Sequence, residues 1–484
     1  MSDPEALPDF TALPDLAAVR LGGVVLEAND EFFAPKENLL RPDAPTFDPL
    51  AYTDRGKEMD GWETRRRREP GHDHCTIRLG VPGIVRGVVV DTSFFRGNYP
   101  ERCSLEATGA DDLEGADWFE LLPESPLRGD ARNPFAVDPA PRVTHLRLHI
   151  YPDGGVARLR VHGEPLPDLR AAVAGGVTDL AASVAGGWIE DASDRFFSSP
   201  HNLIAPGDPH GMHDGWETRR RRGPGHDWVV IRLAAEAELD RIEVDTSFFK
   251  GNYPDTCSVD ARVGEGGWAE VLGRRKLEPD RRHAFELLAG ATATHVRLNI
   301  YPDGGVARLR VHGRVTRAGW RSFGVRWLNA LAPDAFEREV LACCASVVWA
   351  HAMREARPFP DFDAVLEASD AAWAGLGRQD RLEAFAAHPR IGDRQGSAWS
   401  RQEQAETATA DEEVLRALAE GNRAYEGRFG HVFLINATGR GPEGMLAELR
   451  RRMGNDADAE LEEAAEQQRQ IARIRLEKLV RPPA

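Results

Sequence analysis

The feature that most constrains this chain is that it contains itself twice. Asp60–Arg68 reads DGWETRRRR, and Asp214–Arg222 repeats it letter for letter. DTSFFRGNYP at Asp91–Pro100 returns as DTSFFKGNYP at Asp245–Pro254, and IYPDGGVARLRVHG at Ile150–Gly163 returns unchanged at Ile300–Gly313. GGVVLEANDEFF at Gly22–Phe33 returns as GGWIEDASDRFF at Gly186–Phe197. The offset falls from 164 to 154 to 150, so the first copy carries extra loop residues. A unit of this size, about 150 residues, is a domain and not a solenoid repeat. Two copies of one fold must therefore stand in tandem, joined by the Ala/Gly/Pro-rich stretch 165–184.

Each copy reads as β. IVRGVVVDTSFF and LDRIEVDTSFF are rich in β-branched residues, and THLRLHIY and ARLRVHG alternate apolar with polar. PDGG between the last two reads as a hairpin turn. Short strands with Gly/Pro turns and almost no helical period predict an all-β sandwich of jelly-roll type. Beyond Val315 the period changes to helical. DAFEREVLACCASVVWAHAMREA, opened by a capping box at Asp334 and Glu337, predicts one helix, DRLEAFAAHP a second, and two long amphipathic helices follow. The expected organisation is a multidomain chain: 1–165, 180–316 and an all-α helical bundle over 322–484.

Composition narrows the function classes. The 484 residues carry a formal net charge of −17, which argues against a nucleic-acid or anionic-membrane partner despite the arginine runs. No apolar run is long enough to span a bilayer. The acidic, Pro-bearing start MSDPEALPDF has no export-signal pattern. Five cysteines, in no metal-binding spacing, fit a reducing, cytoplasmic setting.

In the helical region, the candidate chemistry lies in AHPRIGD (387–393) and SRQEQ (400–404). A histidine before a helix-ending proline and a Ser-x-x-Glu capping box both have purely structural readings. The linked series LNAL (328–331), ARPF (356–359), HPRIG (388–392), SxxEQ, NRAYEGRFGHVFLINATGR (422–440) and the late IRL (474–476) resembles 2-oxo-4-hydroxy-4-carboxy-5-ureidoimidazoline (OHCU) decarboxylase, an all-α family of urate breakdown. The resemblance implies that His388 is the catalytic acid/base. It implies that Pro389, Ser400, Arg401, Gln402, Glu403 and Gln404 and the backbone of Phe433, Leu434, Ile435, Asn436 and Ala437 hold the substrate. Arg475 would meet its anionic part, and Glu403 would fix the His388 tautomer or bond the substrate hydroxyl. Asn436 departs from the smaller residue the family pattern suggests. The implied reaction, giving (S)-allantoin, needs no cofactor.

Residues 22–313 resemble allantoicase, a family of two tandem jelly rolls like those of galactose-binding and discoidin domains, which cleaves allantoate to ureidoglycolate and urea. The resemblance rests on the three long motifs present twice. A carboxylate substrate calls for planar, bidentate donors, and urea release calls for a proton donor together with a base or metal to activate water. Glu63 and Glu217 are the expected catalytic carboxylates. Trp62 and Trp216 are expected as walls, and Arg65 and Arg219 as anion-binding groups. Alternation places Arg65 and Arg67 opposite Arg66 and Arg68, so at most half the run faces one pocket. GHD at 71–73 and 225–227 adds a His–Asp pair in each copy, and His145, His295, His162 and His312 are further candidates. A divalent metal is compatible with this set, although no ligand spacing demands one.

The expected partners are small molecules, allantoate and OHCU, with self-association into a homo-oligomer. The competing reading makes the β repeats a non-catalytic ligand- or glycan-binding module attached to an active decarboxylase. Urea release from allantoate discriminates the two.

Overall fold

The computed structural model describes residues 8–176, 178–287, 291–388, 412–436 and 440–482. The chain divides into two compact units, Met1–Phe323 and Gly324–Ala484.

Both repeats lie in the first unit, and each is built around one 19-residue strand, Asp73–Asp91 or Asp227–Asp245. In the first repeat the early part of this strand pairs with Val24–Ala28 and Val143–Tyr151. After a register shift between Arg78 and Gly83, its later part pairs with Arg132–Ala136 and Arg158–Pro165. Arg102–Thr108 and Phe119–Pro126 extend the first sheet beyond Val143–Tyr151. All pairings are antiparallel, and the second repeat reproduces the order strand for strand. Apolar residues alternating along these strands, such as Ile77, Leu105, Leu146 and Leu148, meet in a buried core between two sheet layers.

The PDGG stretch is not a hairpin. The strands on either side of it pair with different parts of the long strand, so the segment crosses from one sheet to the other. Alternation fixes which face of a strand is buried but not its partner. The crossing is tight: Gly154 has φ +140°, and a Cβ on Gly155 would sit 1.9 Å from the Phe95 ring. Gly304 and Gly305 repeat this against Phe249.

The repeats touch through their edges. Arg20 bonds Asn202, and the His201 ring reaches the Ala12 carbonyl at 3.0 Å. The short helix Leu169–Ala174 between them is capped by Asp168, which accepts from the Arg170 N–H.

The second unit is helical. Its described helices include Pro333–Leu341, Val347–Glu355, Phe362–Ala374, Arg378–Ala386, Glu412–Phe429, Pro442–Arg452 and Ala457–Leu479. The single helix expected over 334–356 is two. The chain turns at Ala342–Ser346, and the Ser346 hydroxyl restarts the helix by accepting the Trp349 N–H at 3.3 Å. The expected cap at Asp334 is also displaced: Ala332 is the N-cap, with Pro333 in the first turn. No helix of the described residues is long and apolar enough to cross a membrane.

Candidate functional sites

The duplicated motif folds the same way in both repeats. Trp62–Glu63 is a two-residue strand paired with Gly155–Val156, and Trp216–Glu217 pairs with Gly305–Val306. Neighbours in a strand point to opposite sides. Trp62 and Trp216 point inward, fully buried, each donating its indole N–H to a carbonyl, of Asp30 at 2.8 Å and of Asp194 at 2.9 Å. They are core anchors and not the walls of an open site. Glu63 and Glu217 point the other way. Each accepts a hydrogen bond from an asparagine of the GNYP motif, Asn98 at 2.7 Å and Asn252 at 2.6 Å. Burial pushes the Glu63 carboxyl up, with the Asn98 hydrogen bond opposing.

The arginines divide as alternation predicts, but the engaged pair is the odd one. Arg65 is tied to Asp30 at 2.6 Å and lies over the Phe32 ring; Arg219 is tied to Asp194 at 2.7 Å and lies over Phe196. Burial acts to raise Asp30 and Asp194. Hydrogen bonds from the backbone of the next residue but one and from the arginine outweigh it and hold both carboxyls low. Arg67 bonds Asp73 at 2.6 Å, and Arg221 bonds Asp227. Arg66, Arg68, Arg220 and Arg222 are exposed and have no ion pair among the described residues.

The expected His–Asp pairs of GHD do not form, because Asp73 and Asp227 are taken by arginine. His72 turns instead to His149, at 2.9 Å, and His226 to Asn299, at 3.3 Å. His145 and His162 hold backbone carbonyls, of Ala110 and Leu13. His295 and His312 face Glu190 and Glu243. Among the described residues, no group of three or more His, Cys, Asp or Glu is arranged to hold a metal ion.

In the helical unit, His388 follows the helix Arg378–Ala386, its N–H bonded to the Phe385 carbonyl at 3.1 Å. Burial and then the Arg475 charge push the imidazole down to about 3, with the Gln468 amide partly opposing. Both causes favour the neutral imidazole in the folded chain. Arg475 and Gln468 come from one helix, Ala457–Leu479, seven residues apart and so on the same face. Phe433, Leu434 and Ile435 have buried side chains, which leaves their backbone as the part available to a ligand. That backbone is held from two sides. Arg452 donates to the Leu434 carbonyl at 2.6 Å, and the Asn436 N–H reaches Gln467 at 2.8 Å. Arg452 is itself fixed by a fully buried pair with Glu460. Pro389, Ser400, Arg401, Gln402, Glu403, Gln404 and Ala437 lie outside the described residues. Asn98, Asn252, Asp30, Asp194 and Gln468 were not singled out by sequence reasoning. The first four sit in the repeated motifs, and their duplication was the available signal; Gln468 had none beyond its helical spacing from Arg475.

The allantoicase repeat model matches residues 14–166 and 178–316. The OHCU decarboxylase model matches residues 329–477. A probable allantoicase of Nocardia farcinica is 52% identical over 315 residues, covering 63% of this chain and 95% of the relative. Probable allantoicase 1 of Burkholderia mallei is 46% identical over 334 residues, covering 66% and 99%. The crystal structure of allantoicase from Saccharomyces cerevisiae is 36% identical, with a TM-score of 0.56, and covers 63% of this chain and 96% of that one. With both repeats matched over more than half its length, the chain belongs to the allantoicase family, continued by a region matching OHCU decarboxylase.

Proposed function

We infer that the chain is a bifunctional enzyme of ureide breakdown, hydrolysing allantoate to ureidoglycolate and urea in its β repeats and decarboxylating OHCU to (S)-allantoin in its helical region. The observation that carries the first activity is a carboxylate with a raised proton affinity, Glu63, held by Asn98 in the motif whose Arg66 and Arg68 have no ion pair among the described residues. Water adds to the carbon bearing the two ureido groups, one C–N bond breaks, and the departing urea nitrogen takes a proton. Glu63 keeps its proton to higher pH than an ordinary glutamate and is suited to supply it. The exposed arginines of the run meet the substrate carboxylate. Glu217 with Asn252 is the equivalent group in the second repeat.

For the second activity, carbon dioxide leaves a carbon next to an imine, and the conjugated ring accepts the electrons. No cofactor is needed. His388 takes the proton of the substrate hydroxyl and returns it to one face of the neighbouring ring carbon, which sets the (S) configuration, while the ring nitrogen that accepted the electron pair takes a proton from water. Arg475 holds the anionic portion, and the backbone at 433–437 holds the ring. The resemblance further assigns substrate contacts to Pro389 and the 400–404 segment, with Glu403 fixing the His388 tautomer.

We further propose jelly-roll, discoidin-like topology for each repeat, boundaries at 1–165, 180–316 and 322–484, a homo-oligomeric state and a cytoplasmic setting. Ring opening of allantoin separates the two reactions, and no segment here is assigned to it, so intermediates leave one site before reaching the other. The test is direct: the full chain should release urea from allantoate, assayed with and without divalent metal, and form (S)-allantoin from OHCU by chiral detection. No urea under either condition would favour the binding-module reading of the repeats.

A further inference from the structure

The two repeats share their skeleton but differ on one sheet face. In the first repeat His149, on the strand Val143–Tyr151, lies between two partners. Its Nε2 is 3.0 Å from Glu106 Oε2 on the adjacent strand Arg102–Thr108, and its Nδ1 is 2.9 Å from Nε2 of His72. A carboxylate only accepts, so His149 carries its proton on Nε2 and offers a lone pair at Nδ1. His72 must then donate from Nε2, which leaves its own Nδ1 as a lone pair. No described residue bonds that nitrogen. The Tyr151 ring packs against His72 at 4.7 Å between centroids and is held by Ser104.

The second repeat cannot do this. Asn299 stands where His149 stands, bonded to Asp260 at 2.9 Å and lying 3.3 Å from His226. An amide bridges hydrogen bonds but does not take up a proton and pass it on. His74 beside the first cluster is replaced by Trp228.

We propose that Glu106, His149 and His72 form a proton relay present only in the first repeat, with His72 Nδ1 as the base that takes the proton of the water attacking allantoate. This rests on the allantoicase reading. His72 is the catalytic residue; His149 and Glu106 are positioning residues that fix its tautomer and receive the positive charge. Glu63 gives its proton to the departing urea nitrogen and the proton removed from water restores it, so no co-reactant is needed. The relay and Glu63 border one stretch of chain: Tyr151 packs on His72, and Gly155 pairs with Glu63. A base and a proton-holding carboxyl thus flank the same crossing segment.

The charged groups around the relay are consistent with this. Arg147 lies 3.5 Å from the same Glu106 oxygen that meets His149 Nε2. His74 stands near both histidines, Arg102 lies over Tyr151, and Glu27 and Asp73 act on the His74 side. Burial lowers the proton affinity of His149, with Glu106 opposing and His72 and His74 adding to the lowering.

The experiment makes the same substitution in both copies of the full-length protein. His72→Gln should lower kcat for urea release at least 30-fold with little change in KM, while His226→Gln stays within 2-fold. His149→Asn, which imports the residue of the second repeat, and Glu106→Gln should each lower kcat and displace the acid limb of the pH–rate profile. Equal kcat for His72→Gln and His226→Gln, or an acid limb unmoved by His149→Asn, overturns the relay alone. A wild type that releases no urea from allantoate overturns the hydrolytic reading and the relay with it.

Discussion

The two β repeats are a comparison made within one molecule. Where they are identical, at the Trp–Glu strand, the GNYP asparagine and the Gly-Gly crossing, they are identical in contacts as well, down to the same glutamate–asparagine bond. One sheet face shows differences that matter chemically: His149 against Asn299, Glu106 against Asp260, His74 against Trp228. The contacts that hold the chain together and the glutamate–asparagine pair have stayed alike, whereas the histidine line has not. The lesson is that identity between the copies reports the scaffold and the shared carboxylate, and the residues that broke the symmetry carry the chemistry that only one copy can have.

The largest expected effect sets a baseline that neither repeat should move. His388→Ala should cut stereospecific allantoin formation by about 10²–10⁴-fold and leave urea release untouched; full decarboxylation by this variant would remove His388 from the mechanism. Next, Glu63→Gln should lower urea release by about 10²-fold, measured beside Glu217→Gln. Similar losses would mean that both repeats work and would break the asymmetry; a loss confined to Glu63→Gln would sharpen it. Third, Gly155→Ala and Gly305→Ala each drive a methyl group into a buried phenylalanine 1.9 Å away. Both should destabilise by about 1–3 kcal/mol in thermal or denaturant unfolding, and unequal losses would show that the two scaffolds are not equivalent.

The smallest effect is in pH dependence. Glu37 in the first repeat corresponds to His201 in the second. Glu37 is exposed beside Lys36, whereas His201 is enclosed between the repeats and pushed down to about 4, by burial first, then Arg195, Arg20 and His162, with the Ala12 carbonyl opposing. The unfolded chain binds a proton here near 6.5 and the folded chain does not, so stability should fall as pH drops from 6.5 toward 4 and level off below. His201→Gln should flatten that slope, by at most about 3 kcal/mol across the window. An unchanged slope in denaturant titrations would place the acid sensitivity elsewhere.

Much of the fold was legible. The repeat, the alternating strands and the change to helical period at Val315 follow from spacing alone. Partnership was less so. THLRLHIY and ARLRVHG show which of their residues face inward, but nothing in either segment says that they lie in different sheets, and the hairpin expectation failed there. The helix over 334–356 was overestimated because the apolar spacing runs on through Cys343 and Cys344, while Ser346 had to be read as a new cap. At the site, the repeated glutamates were visible and their asparagine partners were not, since the pairing spans 35 residues. Trp62 was misread because a conspicuous aromatic beside a carboxylate suggests a shared pocket, whereas strand geometry places neighbours on opposite sides. The relay was out of reach for the same reason as the hairpin: His72, Glu106 and His149 sit on three separate stretches, and only the register of the strands brings them into line.

The 19-residue strand that belongs to both sheets of each repeat has one more consequence. A sandwich whose layers share a strand has no internal seam. Neither layer can be inherited, truncated or lost without cutting the other. Each repeat is therefore one cooperative unit: cutting the long strand should unfold both layers together, not one of them.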